Sequence, residues 1–382
     1  MRLKISKIRH SLIIALVTFF SLLFVINGVV AVNNKSITTN ATMVSVSESS
    51  PYTYAWNQTR WGDANWLDVG YDIEKDSEGN FYIAGTMQTS ASGKDAVLFK
   101  FDSEGSEIWK RIFTSTGSAH DYGRAVAIDD NDNVYVLGDI TQSGNIDVLL
   151  LKYSKEGDLL WNYTWTGVNI EHCYDVFVDG EFFYITGSTN SWGAGNLDLI
   201  AAKYSLSGTK IWNYTWGNSF NDEGKGITVD DGDIYISGYC DGGSGNKNVV
   251  FIRLLDLGSS ASEVVVDFWG GTADDESRGI AQDSSGNVYI TGTTESYGMG
   301  DEEVFLVKID VNGNNLWNRT WGDYKRDNGF DLYIDDNDNI YVVGTTESYA
   351  SDFWWDIVVI QFDTYGNQGW YITWHCGNYH EG

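Results

Sequence analysis

Six acids keep one register along this chain: Asp68, Asp121, Glu171, Asp222, Asp275 and Asp327. Carboxylates at a fixed spacing suit three kinds of chemistry: a cation ring, a catalytic acid–base set, or acceptors for loop amides. Six bare carboxylates on one ring would repel, so each is expected to accept hydrogen bonds from its own loop, and the set reads as structural. The acidic runs 129–133 and 335–339 resemble the start of a calcium loop. Both lack the downstream bidentate glutamate and the glycine at its required position, so they read as turns, with Ca2+ the weaker alternative and no other cofactor expected. The histidines His10, His120, His172, His375 and His380 show no local ligand pairing. There is no Gly-x-Ser-x-Gly elbow, phosphate loop or His-Glu-x-x-His motif, and no residue is assigned a catalytic role.

The other chemistry-bearing residues are aromatic: Trp66, Trp192, Tyr297, Tyr349, Phe353, Trp354 and Trp355 stand in loop sequences beside Ser, Asn and acids. Exposed rings with amides and carboxylates suit a glycan or a protein partner. The plainer reading is that several fold over the tops of the elements beneath.

A repeat of about fifty residues positions these groups. It recurs six times, in GYDIEKDSEGNFYIAG (70–85), GRAVAIDDNDNVYVLG (123–138), CYDVFVDGEFFYITG (173–187), GKGITVDDGDIYISG (224–238), SRGIAQDSSGNVYITG (277–292) and GFDLYIDDNDNIYVVG (329–344). Each unit reads as four strands, A to D, the second unit giving A at 124–130, B at 133–138, C at 147–153 and D at 159–165. Strands B and C are apolar almost throughout, as for strands covered on both faces. Strand D carries a tryptophan in register at Trp56, Trp109, Trp161, Trp212, Trp317 and Trp370, with VVVDFWGG (264–271) departing from it. That spacing indicates packing between units. The result is an all-β fold, a β-propeller of four-stranded blades.

Antiparallel succession puts the A–B and C–D turns on one face of the disc, and the B–C and D–A loops on the other. The turns are short and stereotyped: Asp-x-x-Gly/Asp-Asn between A and B, Asp/Ser-x-x-Gly between C and D. The loops are long and varied, and hold the seven aromatic residues.

The motif Asp-x-x-Gly-Asn-x-Tyr-Ile-x-Gly, followed by x-x-x-Lys-x-Asp-x-x-Gly-x-x-x-Trp, is well kept at 76–109 and 283–317. On these residues the chain resembles the seven-bladed β-propeller (SBBP) repeat family of exported prokaryotic proteins. Arg253 and Gln361, standing where the lysine belongs, are departures. The resemblance implies the fold and no common reaction. A D-like strand occurs seven times, first at 53–61, whereas A, B and C occur six times. A seven-bladed ring cut short inside its last unit is therefore expected, with a six-bladed ring and one spare strand as the alternative.

Composition bounds the function. With 53 Asp+Glu against 24 Lys+Arg the net charge is -29, which argues against nucleic acid as a partner. The three cysteines, Cys173, Cys240 and Cys376, lack metal spacing and cannot all pair within the chain, and a fold of this size needs no disulfide scaffold. Residues 1–31 are a basic stretch followed by 11–31, which has no charged residue. This is expected to be a hydrophobic helix, either a cleaved signal peptide or a signal anchor, with everything after it exported and the membrane a partner if it is uncleaved. Residues 32–50 read as a Ser/Thr/Asn-rich tether whose Asn34 and Asn40 sequons are candidate glycosylation sites, and 51–382 as the propeller. The expected protein is an extracellular or cell-surface scaffold, anchored or secreted, that binds glycan or protein through its long-loop face without catalysis. The alternatives are a propeller enzyme (polysaccharide-active or quinoprotein-like oxidoreductase) and a passive surface-layer or spacer element.

Overall fold

The repeat becomes a four-stranded antiparallel sheet six times over, in the order A-B-C-D, at 69–113, 121–165, 171–216, 222–269, 275–321 and 327–374. The A strands are Val69–Lys75, Asp121–Ile128, Glu171–Asp179, Asp222–Asp230, Asp275–Gln282 and Asp327–Ile334. They line the axis of a β-propeller, and consecutive A strands pack on one another from blade 1 to blade 6. This computed structural model describes residues 68–374 apart from 91–92, 116–119, 143, 244 and 351–354, together with three short paired strands, Ile13–Ile14, Leu23–Ile26 and Val29–Val32. The rest of the stretch read as a hydrophobic helix, the tether with Asn34 and Asn40, the segment 53–61 and residues 375–382 lie outside the described residues. Among the described residues no helix is long and apolar enough to cross a membrane.

The core lies between blades. Val136, Leu149 and Leu151 of blade 2 pack on Tyr82, Ala84 and Leu98 of blade 1, and equivalent layers join blades 2 to 3, 3 to 4, 4 to 5 and 5 to 6. Each Val, Ile or Leu fully buried there contributes roughly 1.5–3 kcal/mol. Strands B and C are buried on both faces, which is why they lack polar alternation.

The repeat motif is the mortar of the turn face. In blade 5, Asp283 Oδ1 accepts the amides of Ser285 (3.0 Å) and Asn287 (2.9 Å), while Oδ2 accepts Asn287 Nδ2 (2.9 Å), Tyr289 Oη (3.1 Å) and Lys308 Nζ (3.1 Å). Asp76 and Asp129 repeat this arrangement. The lysine also reaches the next blade: Lys100 Nζ donates to the Lys155 carbonyl and Lys152 Nζ to that of Leu206, both at 3.2 Å. In blade 6, Gln361 stands in the lysine's place and its amide donates within its own blade, to Asn339 and Phe362.

The Gly/Asp choice in the A–B turn has a physical reason. That position has positive φ, 87° at Gly79 and 83° at Gly286, yet Asp132 and Asp338 adopt 59°. Both aspartates clamp the preceding blade. Ser77 donates its amide and hydroxyl to Asp132 at 3.0 and 2.9 Å, and Ser284 does the same to Asp338 at 2.8 and 2.6 Å. The two bonds offset the cost of the left-handed backbone.

Candidate binding site at the axial channel

All six A strands break register against strand B at one place. The ladder skips Tyr71 in blade 1, then Arg124, Tyr174, Lys225, Arg278 and Phe330 in turn. Each skipped residue is a β-bulge, a device that re-aims one side chain out of a sheet. The closing glycine of the repeat stands opposite. A Cβ on Gly138 would collide with the Tyr122 carbonyl oxygen, and one on Gly238 with that of Glu223. Glycine is there so that the bulged strand can press against strand B.

All six bulged residues line one channel of about 980 Å3 along the axis. They form a ring of three aromatic and three cationic side chains. Arg124 lies over Tyr71 (5.4 Å to the ring centroid), Lys225 over Tyr174 (3.5 Å) and Arg278 over Phe330 (5.0 Å). Towards the loop face, Tyr122, His172, Glu223, Glu276 and Asn328 stand two residues earlier on the same strands. Glu223 accepts Lys225 Nζ at 2.6 Å and Tyr239 Oη at 2.5 Å. Burial would raise its pKa, but Lys225 and the hydroxyls of Tyr174 and Tyr239 outweigh that and hold it at about 2. Arg124 donates to Asp139 at 2.7 Å, and His172 Nδ1 lies 3.2 Å from the same carboxylate. Beneath the ring, Asp72 and Asp175 stitch neighbouring blades by accepting the amides of Val126 (2.7 Å) and Ile227 (2.8 Å). Burial, reinforced by Asp175, pushes the Asp72 carboxyl well above the usual range. The upper channel can therefore hold an anion against guanidinium and ammonium groups, with ring faces beside them.

The register acids lie in the loop-face seams between blades. Asp121 accepts the Ser115 amide (2.7 Å), Glu171 that of Gly167 (2.8 Å), Asp222 that of Asn218 (2.6 Å), Asp275 that of Gly271 (2.8 Å) and Asp327 that of Asp323 (3.1 Å), each from its own D–A loop. Asp68 accepts the Gln88 amide at 3.0 Å. A partner acid escaped the sequence reading, at the start of strand C: Asp95, Asp147, Asp198, Glu303 and Asp356, with Asn248 in blade 4. A Cβ on Gly217 would touch Asp198 Oδ1 and Asp222 Oδ2 at once. Those oxygens are thus within about 5 Å, close enough for the Asp198 charge to add to burial in raising the Asp222 pKa. Among the described residues, no group of three or more His, Cys, Asp or Glu could hold a metal ion. Cys173 and Cys240 are buried free thiols.

Three of the loop aromatics roof the seams. Trp192 stacks on Trp165 at 5.5 Å. Tyr297 packs on Trp269 at 5.2 Å and Tyr349 on Trp321 at 4.9 Å, and their hydroxyls donate to the Gly270 and Gly322 carbonyls. Trp355 is half-buried and lines the channel. Trp66, Phe353 and Trp354 lie outside the described residues.

The channel ring, unlike its acids, was visible as a signal. In the six constant segments the letter after the first is Tyr, Arg, Tyr, Lys, Arg, Phe, a column that varies in identity yet is always aromatic or cationic.

The sequence profile of the SBBP beta-propeller repeat matches residues 108–145 and 269–298. No curated protein sequence matches the chain. Among solved structures, the periplasmic gluconolactonase of Pseudomonas aeruginosa is similar at 10% identity and a TM-score of 0.49, over 80% of this chain and 91% of that one. A gluconolactonase of Xanthomonas campestris is similar at 11% identity and a TM-score of 0.39, over 69% and 86%. A puromycin-hydrolyzing peptidase of Mycobacterium tuberculosis is similar at 10% identity and a TM-score of 0.43, over 79% and 51%. Both matched stretches fall within the six blades, which are built on one motif, so the fold is that of a β-propeller similar to the SBBP beta-propeller repeat.

Proposed function

We propose that the protein is a non-enzymatic binding propeller, exported and displayed at the cell surface, which takes a glycan at the loop-face mouth of its axial channel. The observation that carries this reading is the ring of bulged residues. Six blades spend the one side chain freed from each A-strand ladder on an aromatic or a cation pointed at a common space. Packing needs no such column. Ring faces accept the C–H faces of sugars, and a concave site with a few charged groups is the usual form of a small-ligand pocket. The basic and apolar N-terminus supports export.

The test is binding of labelled cell-surface polysaccharides to the full chain and to Phe330→Ala and Trp355→Ala, with melting curves in parallel. Binding at least tenfold weaker in folded variants is expected. Unchanged binding in both would remove the ligand from the channel.

A further inference from the structure

Resting on that channel reading, we infer that the blade 5–6 sector of the channel is a carboxylate subsite, in which Arg278 and Arg326 take the acid group of a uronate-bearing saccharide. The basis is how the arginines are used. Six lie among the described residues. Arg111, Arg253 and Arg319 each donate three hydrogen bonds, and Arg124 donates to Asp139. Arg278 and Arg326 line the channel and donate none to a described residue. Their nearest carboxylates stand at 3.9 Å (Glu276) and 3.8 Å (Glu302). Those acids are already engaged, Glu276 by Lys247 Nζ and Glu302 by Asn328 Nδ2 at 2.8 Å.

A chain of net charge -29 has no shortage of carboxylates to satisfy two guanidiniums. Both guanidiniums instead stay open to the channel, 40% and 53% exposed, where a ligand carboxylate can reach them without displacing a hydrogen bond to a described residue. The planar fork of a guanidinium matches a carboxylate in two parallel bonds. Phe330 beneath Arg278, and Trp355 on the same wall, offer ring faces for the sugar. The subsite lies inside a channel walled by strands A, which admits a saccharide and excludes a folded protein surface.

The experiment is calorimetric titration of the full chain with oligogalacturonate and oligoglucuronate, each beside its carboxyl-reduced counterpart. Arg278→Gln, Arg326→Gln and the turn-face control Arg319→Gln are titrated alongside. The expected result is binding of an acidic oligomer that weakens at least tenfold on carboxyl reduction and in either channel variant, with Arg319→Gln binding like the parent. The Arg278 and Arg326 side chains donate no hydrogen bond to a described residue, so their variants should melt close to the parent temperature. Equal binding of acidic and neutral oligomers, lost in Trp355→Ala, would overturn the carboxylate subsite and leave the channel reading standing. Acid binding indifferent to every channel variant would overturn both.

Discussion

The two faces of the disc use the same side chain, a buried carboxylate, in opposite ways. On the turn face burial alone would raise Asp76, Asp129 and Asp283, but donors from Asn, Lys and the turn amides outweigh it, and all three lie below the ordinary carboxyl range. On the loop face Asp121, Asp147, Asp222, Glu303 and Asp327 lie above it. Burial is the main cause, reinforced by a second acid across the seam: Asp95 for Asp121, Glu171 for Asp147, Asp198 for Asp222 and Asp327 for Glu303. Asp121 Oδ1 and Asp147 Oδ1 are buried without a hydrogen-bond partner among the described residues. The turn face is satisfied and repeats. The loop face keeps electrostatic strain, and it is the face that varies.

The largest effect should come from the satisfied face. Asp283→Ala removes the acceptor of two amides, Asn287 Nδ2 and the Tyr289 hydroxyl, and strands the buried Lys308 ammonium. A loss of about 3–5 kcal/mol is expected by urea titration, the range for breaking a buried ion pair from one side. A loss below about 1 kcal/mol would place the mortar elsewhere than in this motif.

Next in size is Asp147→Asn on the strained face, and its sign is reversed. A carboxyl whose folded pKa is raised adds stability below its unfolded value, near 4, and that contribution disappears as pH rises through the folded value. The variant should gain about 1 kcal/mol at pH 7 and nothing at pH 4, the size of a relieved like-charge contact. The depressed turn-face acids do the opposite. Their contribution is full above about 4 and is lost as pH falls through their folded values. Two slopes should thus meet in the parent, and Asp147→Asn should flatten the one on the neutral side.

Blade 4 already contains this substitution. Asn248 occupies the strand-C position, and Asp275 across the seam accepts the Thr294 hydroxyl, Ser296 Oγ at 2.7 Å and the Gly271 amide at 2.8 Å. Asn248→Asp should recreate the strain and cost up to about 1 kcal/mol at pH 7, with the cost vanishing at pH 4. Equal loss at both pH values would mean that lost packing, not charge, sets the seam.

These seams show how far the chain could be read. The blade plan and the A–B turn were legible because their chemistry is local: Asp76 and Asn80 are four residues apart and bond each other. The strand-C acids were hidden because each meets its partner only across a seam, Asp147 and Glu171 being 24 residues apart. The bulge was hidden for another reason. A strand read in strict alternation puts Arg124 in the ladder, and only contact between Gly138 and the Tyr122 carbonyl forces it out.

The smallest effect concerns the loop aromatics, where glycan contact and blade roofing were both open. Trp192 is 40% exposed, yet one face of its indole is spent on Trp165 at 5.5 Å with an interplanar angle of 22°. Ala at this site should lower stability by about 1 kcal/mol, the worth of one aromatic pair beyond its buried area. Trp192 does not line the channel, so saccharide binding should survive the change. If binding fell with no loss of stability, the seam aromatics would belong to the ligand, and the recognition surface would spread from the channel mouth across the loop face. If stability fell alone, the strained acids beneath would be roofed by rings whose role is to keep water from them, and the varied face would owe its variety to the seams as much as to any ligand.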